Sequence, residues 1–220
     1  MEAIKQFWPH DLLTFSDSRD LVLNENPLPE WAKDSLSKAK IVVVRRGLVN
    51  NDLIPIGLRG DLRNQRLAGF LKKDRVINCY SPAYFIKNKS WLSLAPKRQE
   101  LPQFQALKKI SAVLRGYTWG IGGSLAYEMA TGINMAINNP THKSDLDIIL
   151  VAKRKINIEQ SRKLLTRLNQ YQVHADVQVV KGQNGFSLEE YAANRNTKIL
   201  IKTATGPILT ADPWNFLKVD

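Results

Sequence analysis

The chain has 220 residues, room for one large domain or two small ones, and a formal net charge of +12, which points to anionic partners. A single cysteine, Cys79, excludes an internal disulfide framework and fits a reducing compartment. No apolar run approaches the roughly 18 residues that a membrane span needs, and the start (MEAIKQFWPHDLLTF) lacks the pattern of a signal peptide, so the expectation is a cytoplasmic protein with no membrane partner.

Taken in chain order, the first part reads as short strands and turns. IVVV at 41–44 predicts a buried strand that ends in Arg45-Arg46-Gly47, and LIPIGLRG at 53–60 predicts a second. LAGFL and VINCY are further short apolar runs, and SPAYF at 81–85 has the composition of a helix start. KNKSWLSLAPKRQELP, from Lys87 to Pro102, is polar with two prolines and reads as a linker or the edge of a second domain. The boundary is therefore set after residue 92: a small β-rich domain over 1–92 and a second domain over 93–220.

The second part changes rhythm. Phe104, Leu107, Ile110, Val113 and Leu114 form a helical stripe. A strand (YTWGI), a Gly-Gly-Ser turn, a short helix (SLAYEMAT) stopped by Gly132, and a strand (DLDIILVA) follow. Then come a helix with Ile158, Leu164, Leu165 and Leu168 on one side and a strand, VHADVQVV. Helices alternating with strands predict an α/β or α+β domain with a mixed sheet.

The stretch KSDLDIIL, residues 143–150, places two carboxylates at the mouth of an apolar strand. Residues i and i+2 share a strand face, so Asp145 and Asp147 point one way and Leu146, Ile148 and Leu150 the other. Two carboxylates that close repel one another, and a divalent cation removes the conflict. VHADVQVV alternates likewise, with His174, Asp176 and Gln178 on one face. If it lies beside the first strand, Asp176 becomes a third carboxylate, and such a set suits two Mg²⁺ or Mn²⁺ ions in phosphoryl or nucleotidyl transfer. Gly122-Gly123-Ser124 joins a predicted strand to a helix N-terminus, where free N–H groups favour phosphate. It is neither a Walker A loop nor G-x-G-x-x-G, because no Gly-Lys-Ser/Thr follows and Leu125 occupies the last glycine position.

A Gly-Ser turn, a D-x-D strand about twenty residues on and a lone Asp on a later strand resemble the nucleotidyltransferase superfamily of DNA polymerase β. WPHDLL, VVVRRG, IPIGLRGDLRNQRLAGFL, WGIGGSLAYEMATG, SDLDIIL and TATGPILTADPW extend the resemblance from Trp8 to Trp214. Together they resemble a bacterial family, the phosphoribosyl-dephospho-CoA transferase that serves malonate decarboxylase as its holo-acyl-carrier-protein synthase. The resemblance implies a nucleotidyltransferase-type mixed sheet with flanking helices behind the β-rich domain. It also implies transfer of the prosthetic group from 2'-(5''-triphosphoribosyl)-3'-dephospho-CoA to a serine of an apo acyl-carrier protein, with loss of diphosphate. Asp145, Asp147 and Asp176 would then be the catalytic, metal-holding carboxylates. Gly122, Gly123, Ser124, Lys143 and Ser144 would meet phosphates, and the basic surface, with Arg59 and Arg63 foremost among Arg45, Arg46 and Arg66, would dock the acidic carrier.

Plainer roles compete. The aspartates fit a turn before a strand, Asp176 the wet side of an edge strand, and Gly122-Gly123 a tight turn. His174 is the structural neighbour of Asp176, His142 and Lys143 occupy the loop before Asp145, and His10 with Asp11 suits a local cap. Two rival functions keep a different outcome: a nucleotidyltransferase with a small molecule, an RNA end or another carrier as acceptor, and a basic nucleic-acid-binding module. Three carboxylates in one cluster argue against the last.

Overall fold

A computed structural model describes residues 6–25, 27–48, 52–62, 64–139, 143–195 and 197–218. It is α+β, with two six-stranded sheets and flanking helices. The chain divides into compact units at Ser81/Pro82, upstream of the 92/93 boundary set from composition. Among the described residues no helix is long and apolar enough to cross a membrane.

The first unit contains β1 (Leu12–Thr14), β2 (Leu21–Leu23), α1 (Glu30–Lys38), β3 (Ile41–Val44), β4 (Leu53–Arg59), β5 (Arg66–Lys72) and β6 (Asn78–Tyr80). Its sheet has the order β2-β5-β4-β3-β1-β6, with every pairing antiparallel. The alternating pattern of β5, with Leu67 and Leu71 buried, and the continuous run of β3 place one apolar face on a core of Leu13, Leu36, Val42, Val44, Ile54, Ile56 and Leu58. In WPHDLL, Asp11 accepts from the Trp8 N–H at 2.8 Å and closes the turn that leads into β1.

The second unit begins with α2 (Pro82–Lys87), α3 (Pro96–Gln99) and α4 (Pro102–Val113), then β7 (Thr118–Ile121), α5 (Gly123–Thr131), β8 (Leu146–Val151), α6 (Ile158–Leu168) and β9 (Ala175–Lys181). β10 (Asn184–Ser187), α7 (Leu188–Ala193), β11 (Ile199–Thr203), β12 (Gly206–Thr210) and α8 (Trp214–Leu217) complete it. The sheet order is β12-β11-β10-β9-β8-β7, mixed, with β8 and β9 parallel and the remaining pairs antiparallel. A parallel pair needs a crossover, and α6 supplies it. Its capping box, in which Asn157 accepts from the Gln160 N–H and Gln160 from the Asn157 N–H, starts the helix abruptly.

Of the two expectations for residues 87–102, linker or edge of the second domain, the structure shows the second: the stretch lies within the second unit and is partly buried. Trp91 and Leu94 are core residues, and α3 carries Arg98 into an ion pair with the fully buried Glu128. Two prolines read as loop punctuation instead occupy the first turns of α3 and α4, where the missing N–H costs nothing. A side chain at Gly120 of β7 would run into the backbone of Pro82 and Ala83, so the start of α2 packs directly on that strand. This packing accounts for the boundary falling at Pro82: α2 belongs with β7.

Candidate active site

The register of the parallel pair determines the site. Asp147 of β8 stands opposite Asp176 of β9, one row beyond Leu146 and Ala175. Leu146, Ile148 and Leu150 align with Ala175, Val177 and Val179, and all six are buried. The next row over, on the opposite face, therefore presents the two carboxylates side by side, both half-buried. Asp145 is exposed and lies one residue ahead of β8. The Leu146 N–H donates to the His174 carbonyl at 2.8 Å, which fixes the entry of the D-x-D stretch to that of β9.

β7 brings the glycine turn to the same place. The Gly122 N–H donates to the Asp147 carbonyl at 2.8 Å, so the turn and the aspartate are locked in one ladder. Gly123, the first residue of α5, has φ +61°, and a Cβ there would collide with the Asp147 carboxyl group. Glycine is required twice over, by conformation and by space. Ser124 is 5 % exposed, whereas Gly123 is exposed and presents the open end of α5. At Gly122 an added Cβ would meet Ile149 only at ordinary van der Waals distance, 3.5 Å.

The loop from α5 to β8 is held by buried polar groups. Arg98 donates to both oxygens of Glu128 at 2.7 and 2.8 Å, and Glu128 also accepts from the N–H groups of Met135 and Ala136 at 2.9 and 2.8 Å. Burial pushes the Glu128 carboxyl up, but these bonds outweigh it and hold it below the usual carboxylate range. Gln103, fully buried, donates to the carbonyls of Ile137 and Ser144. The Ser144 hydroxyl accepts from the Ile137 N–H and its own N–H donates to the Ile137 carbonyl, so Ser144 closes the loop next to Asp145. Lys143 is exposed and bridges to Asn138. Neither Arg98 nor Glu128 was singled out from the sequence. The signal available was a lone acidic residue, the sixth of nine, in a helix otherwise without charge, GSLAYEMAT.

His174 is exposed, with Nε2 3.6 Å from a carboxylate oxygen of Glu189. Arg59 lies in the first unit, where its carbonyl accepts from the Ser35 hydroxyl at 2.6 Å. Arg63 and His142 lie outside the described residues. Among the described residues no group of three or more His, Cys, Asp or Glu side chains stands close enough to hold a metal ion as a set. The donors of the aspartate pair are all oxygen, the chemistry Mg²⁺ prefers, and Mg²⁺ at phosphoryl-transfer sites uses one or two carboxylates completed by substrate phosphates. Asp147 and Asp176 fit that demand.

The mixed sheet thus sets two carboxylates side by side, with Asp147 against the glycine at the start of α5. Residues 91–213 match the model described as "Phosphoribosyl-dephospho-CoA transferase MdcG C-terminal domain", and residues 8–82 match the corresponding N-terminal domain. A protein of Pseudomonas fluorescens (strain Pf0-1) named phosphoribosyl-dephospho-CoA transferase is 35 % identical over 85 % of this chain and 86 % of its own length. Proteins of the same name from Klebsiella pneumoniae (strain 342) and Pseudomonas syringae pv. tomato are 31 % and 33 % identical, over 94 % and 96 % of this chain and 96 % and 95 % of theirs. No solved structure matches. The protein is thus a transferase. It belongs to the phosphoribosyl-dephospho-CoA transferase family, whose two domains it carries in order.

Proposed function

We propose that this enzyme moves the phosphoribosyl-dephospho-CoA group from 2'-(5''-triphosphoribosyl)-3'-dephospho-CoA to a serine of the apo acyl-carrier protein of malonate decarboxylase. The observation that carries the reading is the register match of Asp147 with Asp176 beside Gly123. The carrier serine Oγ attacks the phosphorus next to the ribose, the bond to the second phosphate breaks, and diphosphate leaves. Asp147 and Asp176, with Asp145 ahead of them, would hold one or two Mg²⁺ or Mn²⁺ ions. Such ions neutralise charge on the triphosphate and on the departing diphosphate. In this reading Asp176 also takes the serine proton, and the exposed N-terminal end of α5 at Gly123 offers N–H groups to a phosphate. Most of the rate comes from positioning and charge neutralisation.

The +12 charge suits an acidic protein acceptor, since complementary charge raises the association rate and makes it salt-sensitive. Arg59 and Arg63 are the proposed first contacts. A cytoplasmic location suits the reading, since a chain with one cysteine fits a reducing compartment.

Intact-mass spectrometry of the apo carrier after incubation with enzyme, donor and Mg²⁺ tests the reading. The expected result is a mass gain equal to the prosthetic group, abolished by EDTA. No gain, with ATP or CTP consumed instead, would move the acceptor and donor elsewhere within the same site chemistry.

A further inference from the structure

The face of the second sheet that bears the aspartate pair carries one more polar line. Gln178 follows Asp176 by two residues on β9, so their side chains share that face. Gln178 is 9 % exposed, and its amide is engaged at both ends: Nε2 donates to Asp176 Oδ1 at 3.3 Å, and Oε1 accepts from Lys202 Nζ at 3.3 Å. Reversing the amide would set N–H against ammonium and carbonyl against carboxylate, so its orientation is fixed by charge. The strand ladder explains how a β11 side chain reaches β9. Gly185 of β10 pairs with both Lys202 and Val180, so the position between them has no side chain to obstruct the lysine.

The sequence around Lys202, ILIKT, is that of a buried strand, with Ile199 and Ile201 in the core on the other face. A cation here is not part of the apolar packing. It is exposed, anchored by a buried amide, and tied through that amide to a carboxylate of the site. An ammonium is a compact point charge that binds phosphate oxygens well, and anchoring one of its donors removes part of the rotamer freedom that binding would otherwise cost.

Building on the transferase reading above, we propose that Lys202 binds a phosphate of the donor, with Gln178 as its positioning residue. The site would then run from the aspartates of β8 and β9 across β10 to β11. The donor contains two kinds of phosphate, the triphosphate that is cleaved and the internal diphosphate of the dephospho-CoA part, and Lys202 serves one of them.

Calorimetric titration of the full chain distinguishes these sources, with inorganic diphosphate plus Mg²⁺ in one arm and dephospho-CoA in the other. Lys202→Met should weaken one of the two ligands on the order of tenfold, and the ligand affected identifies the phosphate. Lys202→Arg should retain most of the affinity, and Gln178→Met should lose several-fold while the KM for the donor rises more than kcat falls. Unchanged affinity for both ligands in Lys202→Met, with wild-type transfer intact, overturns the role of Lys202 and leaves the transferase reading standing. A wild type that binds neither ligand and modifies no carrier overturns both.

Discussion

Among the described residues each of the two units buries one carboxylate, and the two are held in opposite ways. In the antiparallel sheet, Asp11 is 4 % exposed, and burial pushes its carboxyl up to about 6 despite bonds from Trp8 N–H and the Cys79 thiol. In the mixed sheet, Glu128 is fully buried and yet held below its ordinary range by Arg98 and two backbone N–H groups. Burial acts upward on both, and the partners decide the sign. The difference lies in what each one holds: the ionised cluster fixes Met135 and Ala136 beyond α5, whereas Asp11 closes a local turn.

The largest effect expected concerns the parallel pair, which among the described residues belongs to the second sheet alone. Asp147→Asn should lower transfer on the order of 10³-fold, read by carrier mass shift, while Tm stays in place. Wild-type turnover in that variant would remove what distinguishes the two sheets.

Next comes the ion pair. Arg98→Met leaves Glu128 buried without its counter-charge and should cost about 3–5 kcal/mol, or about 10 °C in the Tm of the second unit. Glu128 has a depressed folded pKa, so its contribution is present above the ordinary carboxylate range and is lost as pH falls through the folded value. Thermal melts of wild type and variant from neutral to acid pH should converge at the acid end.

Gly123→Ala asks whether the glycine turn belongs to the chemistry. The new Cβ displaces the Asp147 carboxyl and strains a residue at φ +61°, so transfer should fall roughly 10²-fold with a stability loss of about 1 kcal/mol. Gly122→Ala, with ordinary clearance, should have the smaller effect.

At Asp11 the expected change leaves transfer untouched and concerns stability alone, and its sign is the reverse of that at Glu128. Between pH 3.8 and about 6 the folded first unit keeps a proton that the unfolded chain releases, so its stability falls as pH rises through that window. Asp11→Asn should remove the Asp11 contribution to the slope, worth about 3 kcal/mol across the window, in chemical denaturation followed against pH.

Strands with strong patterns were legible from sequence: IVVV became β3, LIPIGLR became β4, and the D-x-D stretch and VHADVQVV became β8 and β9. The helices after Leu101 and at GSLAYEMAT were equally clear, because stripe and stop signal agree. The stretch around Arg98 was not legible, since a polar segment with two prolines looks like a linker until its partner Glu128 is placed thirty residues away. The side-by-side placement of Asp147 and Asp176 could be posed from alternation but needed the strand register, which no local pattern carries. Lys202 was invisible for the same reason: its tie to Gln178 crosses a strand whose intervening residue is a glycine.

The central claim is that Asp147 and Asp176 together hold divalent ions against the donor's phosphates. Manganese binding followed by electron paramagnetic resonance, with the donor present and the carrier absent, tests it most directly. Wild type should bind Mn²⁺ in a donor-dependent manner and the Asp147→Asn/Asp176→Asn double variant should not. Equal donor-dependent binding by both proteins would contradict the account.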